Sequence, residues 1–320
     1  MYTMKKTKTS LNIKLISKYF LFVFVAVLFS NYLRNNSIYF MPREYKTIKK
    51  IVDKIALKNN LGDEEIPFSI GSGAYMEYEA EKLGLCKKDD CYYFKNLNPY
   101  KKHKHFKEVN LNELSKQSYL FNSIEAYAWS GVVWLSKSTF KTYGDKTNYL
   151  GCLIGHELSH IIYNDHIEQS IKLSEKIKEF KNPKDKENKQ LNNKKEVNNE
   201  EVNTEELKKD LFEKLLSRES EIKADQNGAK MMINAGYSKD TCLNSIIFLA
   251  KRNYIDAHTE LKSTHPGHLE RYESLKKFIE IYNKEEELKT FKPYKWSWSY
   301  NRNLNILTFS PKNKYLLLVN

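Results

Sequence analysis

Apolar positions along the 320 residues follow three spacings. The first is a continuous run, Tyr19 to Ser30, preceded by Lys5, Lys6, Lys8, Lys14 and Lys18 and followed at a short distance by Arg34. Its length lies between a signal-peptide core and the roughly 17 to 25 residues of a spanning helix, and Leu15, Ile16 and a snorkelling Lys18 extend it. Leu28 is a poor outer residue for cleavage after Ser30 and no lipid-attachment cysteine follows. An uncleaved single-pass anchor is therefore favoured over secretion after signal cleavage. The basic start places the N-terminus in the cytoplasm, so residues 1–35 read as a cytoplasmic basic N-terminus plus membrane anchor or signal, with the catalytic domain on the extracytoplasmic side. The second spacing is helical. Pro42 opens a segment in which Tyr45, Ile48, Ile51, Val52, Ile55 and Leu57 share a stripe ending near Asn60, and a further helix runs through Ala229, Met232 and Ala235 to Gly236. The third spacing alternates. Ile66 to Ile70 predicts a strand, and Trp296, Trp298 and Tyr300, parts of Leu304 to Phe309 and Tyr315 to Val319 predict two or three more, a small sheet appended to the helices over 291–320. Residues 71–116 show no clear period.

Between the helical segments, 181–206 is dominated by Lys, Glu, Asn and Asp, with Leu191, Val197 and Val202 its only aliphatic residues. Such a stretch cannot bury enough apolar surface to offset its ordering entropy, so a solvated, mobile insertion is expected over about 170–210. The whole reads as a mainly α protein with a small β-sheet, an α+β catalytic domain over 36–290 behind one membrane segment.

A hydrophobic content of 41% is enough for one core. The formal charge of +13 points to an anionic membrane surface or nucleic acid as partner. The charge is diffuse and no nucleic-acid motif accompanies it, so a membrane partner is expected and a nucleic-acid partner is not. Of four cysteines, Cys86 and Cys91 bracket Lys87 to Asp90, a spacing that suits a small disulfide outside the cytoplasm better than a structural zinc site. Cys152 and Cys242 lie in apolar surroundings and read as core.

The chemistry lies in His156-Glu157-Leu158-Ser159-His160. Histidines four apart on a helix address one point, and the glutamate between them reaches a water held there. About sixty residues on, Glu221 and Asp225 share one helical face. His156, His160 and Glu221 form a three-ligand set that leaves a fourth place on one zinc ion for water. Asp225 is placed to take the other ring nitrogen of His156. A rival set exists in His166, which completes the His-Glu-x-x-His-x-x-Tyr-x-x-His spacing of metzincins. Tyr163 speaks against it, because metzincins place glycine at the sharp turn that closes that site. On a continuing helix His166 swings away from the metal and faces solvent.

A third block, Ser263 to Arg271, adds Thr264-His265-Pro266 and Arg271. Taken in order, the three blocks resemble the metallopeptidase family, number forty-eight, that includes HtpX, the CaaX prenyl protease and Oma-type quality-control peptidases of the gluzincin clan. Asn122 to Ser136 is similar to that family's substrate-aligning strand, although Glu125 stands where the family has Asn. The resemblance spans about 120–277. It implies a zincin-like zinc metalloendopeptidase with His265 stabilising the oxyanion, Arg271 holding the site, and Val132, Val133, Trp134, Leu135 and Ser136 presenting a strand edge to polypeptide substrates. Membrane-associated or misfolded envelope proteins are the expected class. Glu157 serves as general base, then acid. A catalytically silent binding protein of the same fold is the alternative.

Overall fold

The structure is a computed structural model and describes residues 18–28, 37–88, 90–104, 109–121, 123–181, 199–253, 258–261 and 263–312. Residues 18–28 are helical (α1) with exposed side chains. No helix among the described residues is long and apolar enough to cross a membrane, and the residues flanking α1, which the expected anchor includes, lie outside them.

After a 3-10 turn at Ser37–Phe40, α2 (Arg43–Ala56) buries Tyr45, Ile48, Ile51, Val52 and Ile55, as its spacing predicts, whereas Leu57 caps the helix and is exposed. Strand β1 (Ile66–Gly71) follows. The unperiodic stretch after it folds into three helices, α3 (Ala74–Lys82), α4 (Tyr92–Lys95) and α5 (Leu111–Leu120). They are too short for a clear amphipathic stripe and share a separate small core of Met76, Ala80, Phe94, Leu97, Leu111 and Leu114. A Cys86–Cys91 disulfide closes the loop between α3 and α4.

Strands β2 (Ala126–Trp129) and β3 (Val132–Ser136) form a hairpin. Its two-residue turn, Ser130 and Gly131, takes φ of 49° and 78°, the left-handed pair that matches strand twist. Then come α6 (Lys137–Tyr143), α7 (Thr147–Ile162), α8 (Asp165–Lys181), α9 (Asn199–Asn234), α10 (Asp240–Asn253), α11 (His268–Ile281), α12 (Lys284–Thr290), β4 (Lys295–Asn301) and β5 (Ile306–Lys312). The sheet has the order β2-β3-β1-β5-β4, with β1 parallel to β3 and antiparallel to β5. The C-terminal strands are thus not an appendage: they complete the sheet that begins with β1. Tyr45 ties the layers together, donating from its hydroxyl to the Asn305 carbonyl at 2.5 Å and accepting from the Ile70 amide at 3.0 Å. Residues Tyr315 to Val319 lie outside the described residues.

One expectation is tested by the structure only at its margins, and a second needs correction. The insertion expected over 170–210 is helical wherever it is described, as the end of α8 and the start of α9. Glu and Lys are good helix formers, and Glu168–Lys172 and Lys209–Glu213 pair one turn apart. Residues 182–198, which hold most of the insertion's polar composition, lie outside the described residues. Second, β3 is an interior strand, paired with β2 on one side and β1 on the other. Val132, Val133, Trp134, Leu135 and Ser136 therefore have no free edge, and that edge belongs to β2.

Candidate active site

Helix α7 is apolar along most of its length and is buried between the sheet and α9. At this crossing Gly155 faces Gly228. A Cβ on Gly228 would lie 2.8 Å from the His156 amide nitrogen, and one on Gly155 would lie 3.2 Å from the Gly228 Cα. The absence of both side chains lets the helices touch along their backbones. This close approach brings a ligand helix and a carboxylate helix together.

At the crossing, His156 Nε2 lies 3.5 Å and His160 Nε2 3.4 Å from the Glu221 carboxylate, and the two ring nitrogens are 3.2 Å apart. Among the described residues, His156, His160 and Glu221 form a group able to hold a metal ion, each offering one ligand atom and all within 4.8 Å of one another. The residue expected behind His156 is there: its Nδ1 meets Asp225 Oδ1 at 2.9 Å. Arg271 grips the same aspartate with two hydrogen bonds, Nε to Oδ2 at 2.7 Å and Nη2 to Oδ1 at 2.6 Å. His265 is 64% exposed, and its Nδ1 lies 3.0 Å from Glu221 Oε2. Glu157 is only 4% exposed and lines the same cleft, of about 840 Å³.

The electrostatics follow from burial against charge. Burial opposes the charged ring of His156, but the Glu221 and Asp225 carboxylates outweigh it and raise its pKa to about 10. Burial likewise opposes ionisation of Glu221, yet the two metal-facing histidines and His265 hold it well below the usual carboxylate range. Asp225 is lowered in the same way, chiefly by Arg271 against its burial. Glu157 moves the other way: burial raises it, and the nearby rings and Arg271 offset this only in part.

His166 is not in the ligand group. Helix α7 does not continue through it. Tyr163 ends the helix, Asn164 takes the left-handed turn with φ 51°, and His166 sits on α8 with its ring 6.1 Å from that of Trp129. The expected solvent-facing residue is thus a half-buried one on the cleft wall. Glu125, in the place of the family's Asn, accepts from the Ala74 amide at 2.8 Å and so caps α3.

Sequence reasoning missed three features. Cys152 and Cys242 are joined by a disulfide that ties α7 to α10 one turn before His156. Apolar surroundings suit a buried disulfide as well as a buried thiol, so composition alone could not distinguish them. The Gly155–Gly228 contact is a tertiary pairing that no local spacing reveals. Asp165, five residues after His160, meets its Nδ1 at 2.7 Å.

A family model, Peptidase family M48, matches residues 102–279, more than half of the chain. The chain belongs to peptidase family M48. No curated protein and no solved structure matches it. Members of M48 are zinc metallopeptidases, so a hydrolase acting on peptide bonds is the activity the family supplies. The M48 match runs from α5 through α11 and takes in every residue of the metal group, while β1, β4 and β5 lie outside it although they share its sheet.

The donor set fits zinc. Both histidines have their Nδ1 atoms engaged by carboxylates, which leaves each Nε2 for the metal, and a buried carboxylate supplies the third ligand.

Proposed function

We propose that this protein is a zinc-dependent endopeptidase that hydrolyses extended polypeptides lying along β2. One observation carries the reading: His156 and His160 from α7 meet Glu221 from α9 with Glu157 buried beside them. His156, His160 and Glu221 would hold the ion. When bound, zinc supplies Lewis-acid polarisation of a carbonyl and brings the pKa of water towards about 7.

The remaining chemistry belongs to the chain. Glu157 accepts a proton from the attacking water on its carboxylate and delivers it to the leaving amine nitrogen. The imidazole of His156 is kept in place by neighbours that do not themselves react, with Arg271 clamping Asp225 and Asp225 fixing the His156 tautomer. His265 turns its ring nitrogen from Glu221 to the carbonyl oxygen as negative charge develops there. The free edge of β2, which lines the cleft from Ala126 to Trp129, pairs with substrate main chain and makes little demand on sequence.

That mode suits unfolded or membrane-associated proteins. A site outside the cytoplasm is supported by two disulfides that use all four cysteines, and by the basic residues that precede an apolar helix with exposed side chains. The deciding experiment is Glu157→Gln in the full-length protein, assayed on an unfolded protein substrate. Cleavage falls by at least a thousandfold while bound zinc, counted by elemental analysis, stays at one per chain. Undiminished cleavage removes the enzymatic reading.

A further inference from the structure

The two ligand histidines are not held alike. Asp225 supports His156 and is neutralised by the guanidinium of Arg271, whose side chain is 11% exposed. Asp165 supports His160 and accepts a second hydrogen bond from a hydroxyl, where Asp225 takes two from a guanidinium. Asp165 is 7% exposed, and its Oδ2 accepts both from His160 Nδ1 at 2.7 Å and from Ser220 Oγ at 2.6 Å.

Each partner sits on a different element. His160 is in the last turn of α7, Asp165 opens α8, and Ser220 on α9 directly precedes the ligand Glu221. The Asn164 turn, with φ 51°, reverses the chain between His160 and Asp165. Asparagine tolerates that conformation far better than a branched residue would. One carboxylate oxygen therefore joins the second histidine ligand to the helix carrying the carboxylate ligand.

We propose that Asp165, oriented by Ser220, is the positioning residue for His160: it holds the ring with Nδ1–H donating to the carboxylate, so that Nε2 presents its lone pair to the metal. This rests on the metal-site reading above. A bland alternative is that Asp165 merely favours the N-terminal end of α8 as a first-turn acid. The two differ in what they predict for the metal. A helix-end charge affects unfolding, whereas a positioning carboxylate sets affinity and ligand field.

The test uses cobalt(II) and zinc on the metal-free full-length protein, for the wild type and for Asp165→Ala, Asp165→Asn and His156→Ala. In Asp165→Ala, zinc affinity measured against a competing chelator falls about 10- to 100-fold, and the cobalt visible bands shift. Asp165→Asn keeps an acceptor oxygen, loses less affinity, and still moves the bands. Wild-type affinity and unshifted bands in both variants overturn the proposal, even if they lower the unfolding temperature of the metal-free protein. Should the alanine variant fail to fold, the asparagine variant decides by the same readings. The metal-site reading fails separately, by absence of tight binding in the wild type or by full retention in His156→Ala.

Discussion

At the scale of single residues, Glu157 and His156 carry opposite consequences for pH. In its proposed role as base Glu157 works only when ionised, and burial raises its pKa above the ordinary glutamate value. Activity is therefore lost as pH falls through that raised value, and the acid limb of kcat/KM lies above the range of an exposed glutamate. A pH–rate profile from 4 to 8 locates it. His156 is raised to about 10 without metal, so at neutral pH its ring carries a proton that a ligand role requires it to lose. Zinc binding then releases a proton and tightens as pH rises towards that value. Calorimetry in buffers of differing ionisation enthalpy counts the proton directly. That His156 and His160 share a face, and likewise Glu221 and Asp225, was legible in the sequence because helical spacing fixes it, while the joining of the two pairs rested on the family resemblance. The role of Asp165 was not legible, since its nearness to His160 depends on Asn164 taking a left-handed turn that spacing alone does not specify.

Among elements, the α7–α9 crossing decides whether the site exists. Gly228→Ala places a methyl group against the His156 backbone, where nothing flexible can yield. Overpacking of this kind costs about 1–3 kcal/mol. Separating the helices also draws Glu221 from the histidines, so zinc affinity falls together with the unfolding temperature. A chelator titration beside a thermal melt checks both. The Cys152–Cys242 bond fastens α7 to α10 across 90 residues of chain. In the chain-entropy model a loop of that size stabilises by about 4–5 kcal/mol, with measured values for native disulfides nearer 2–5. Reduction under mild conditions, or Cys152→Ser paired with Cys242→Ser, lowers the midpoint of denaturant unfolding accordingly. The Cys86–Cys91 pair closes a far smaller loop and contributes less. Helix α2 and strand β1 were readable from their spacing. The interior position of β3 was not, because a strand buried on both edges and one with a free edge can carry the same apolar run.

For the molecule as a whole, the α+β class was legible and the sheet's connectivity was not. Alternation around Trp296 and Trp298 marks strands, yet says nothing of β5 reaching back to β1. Only the register of Ile66 with Phe309 and Ser69 with Ile306 shows that union. The surface balance of charge and the apolar α1 bear on where the domain works. Under the proposed anchoring role of residues 1–35, a protein lacking them is expected in the soluble fraction with its hydrolysis of a short soluble peptide unchanged, an outcome that fractionation and a peptide assay check.

The pairing of β1 with β5 also sets a timetable for biogenesis. Some 240 positions separate the two partners, so β1 waits beside β3 with one flank open while nearly all of the chain is made. Helices α7 and α9 have both left the ribosome by then, but the floor on which α7 rests is still missing its last two planks. A nascent protease of this design matures late, and chains interrupted before residue 306 are released with an unfinished sheet, ready prey for other proteases before they can become one.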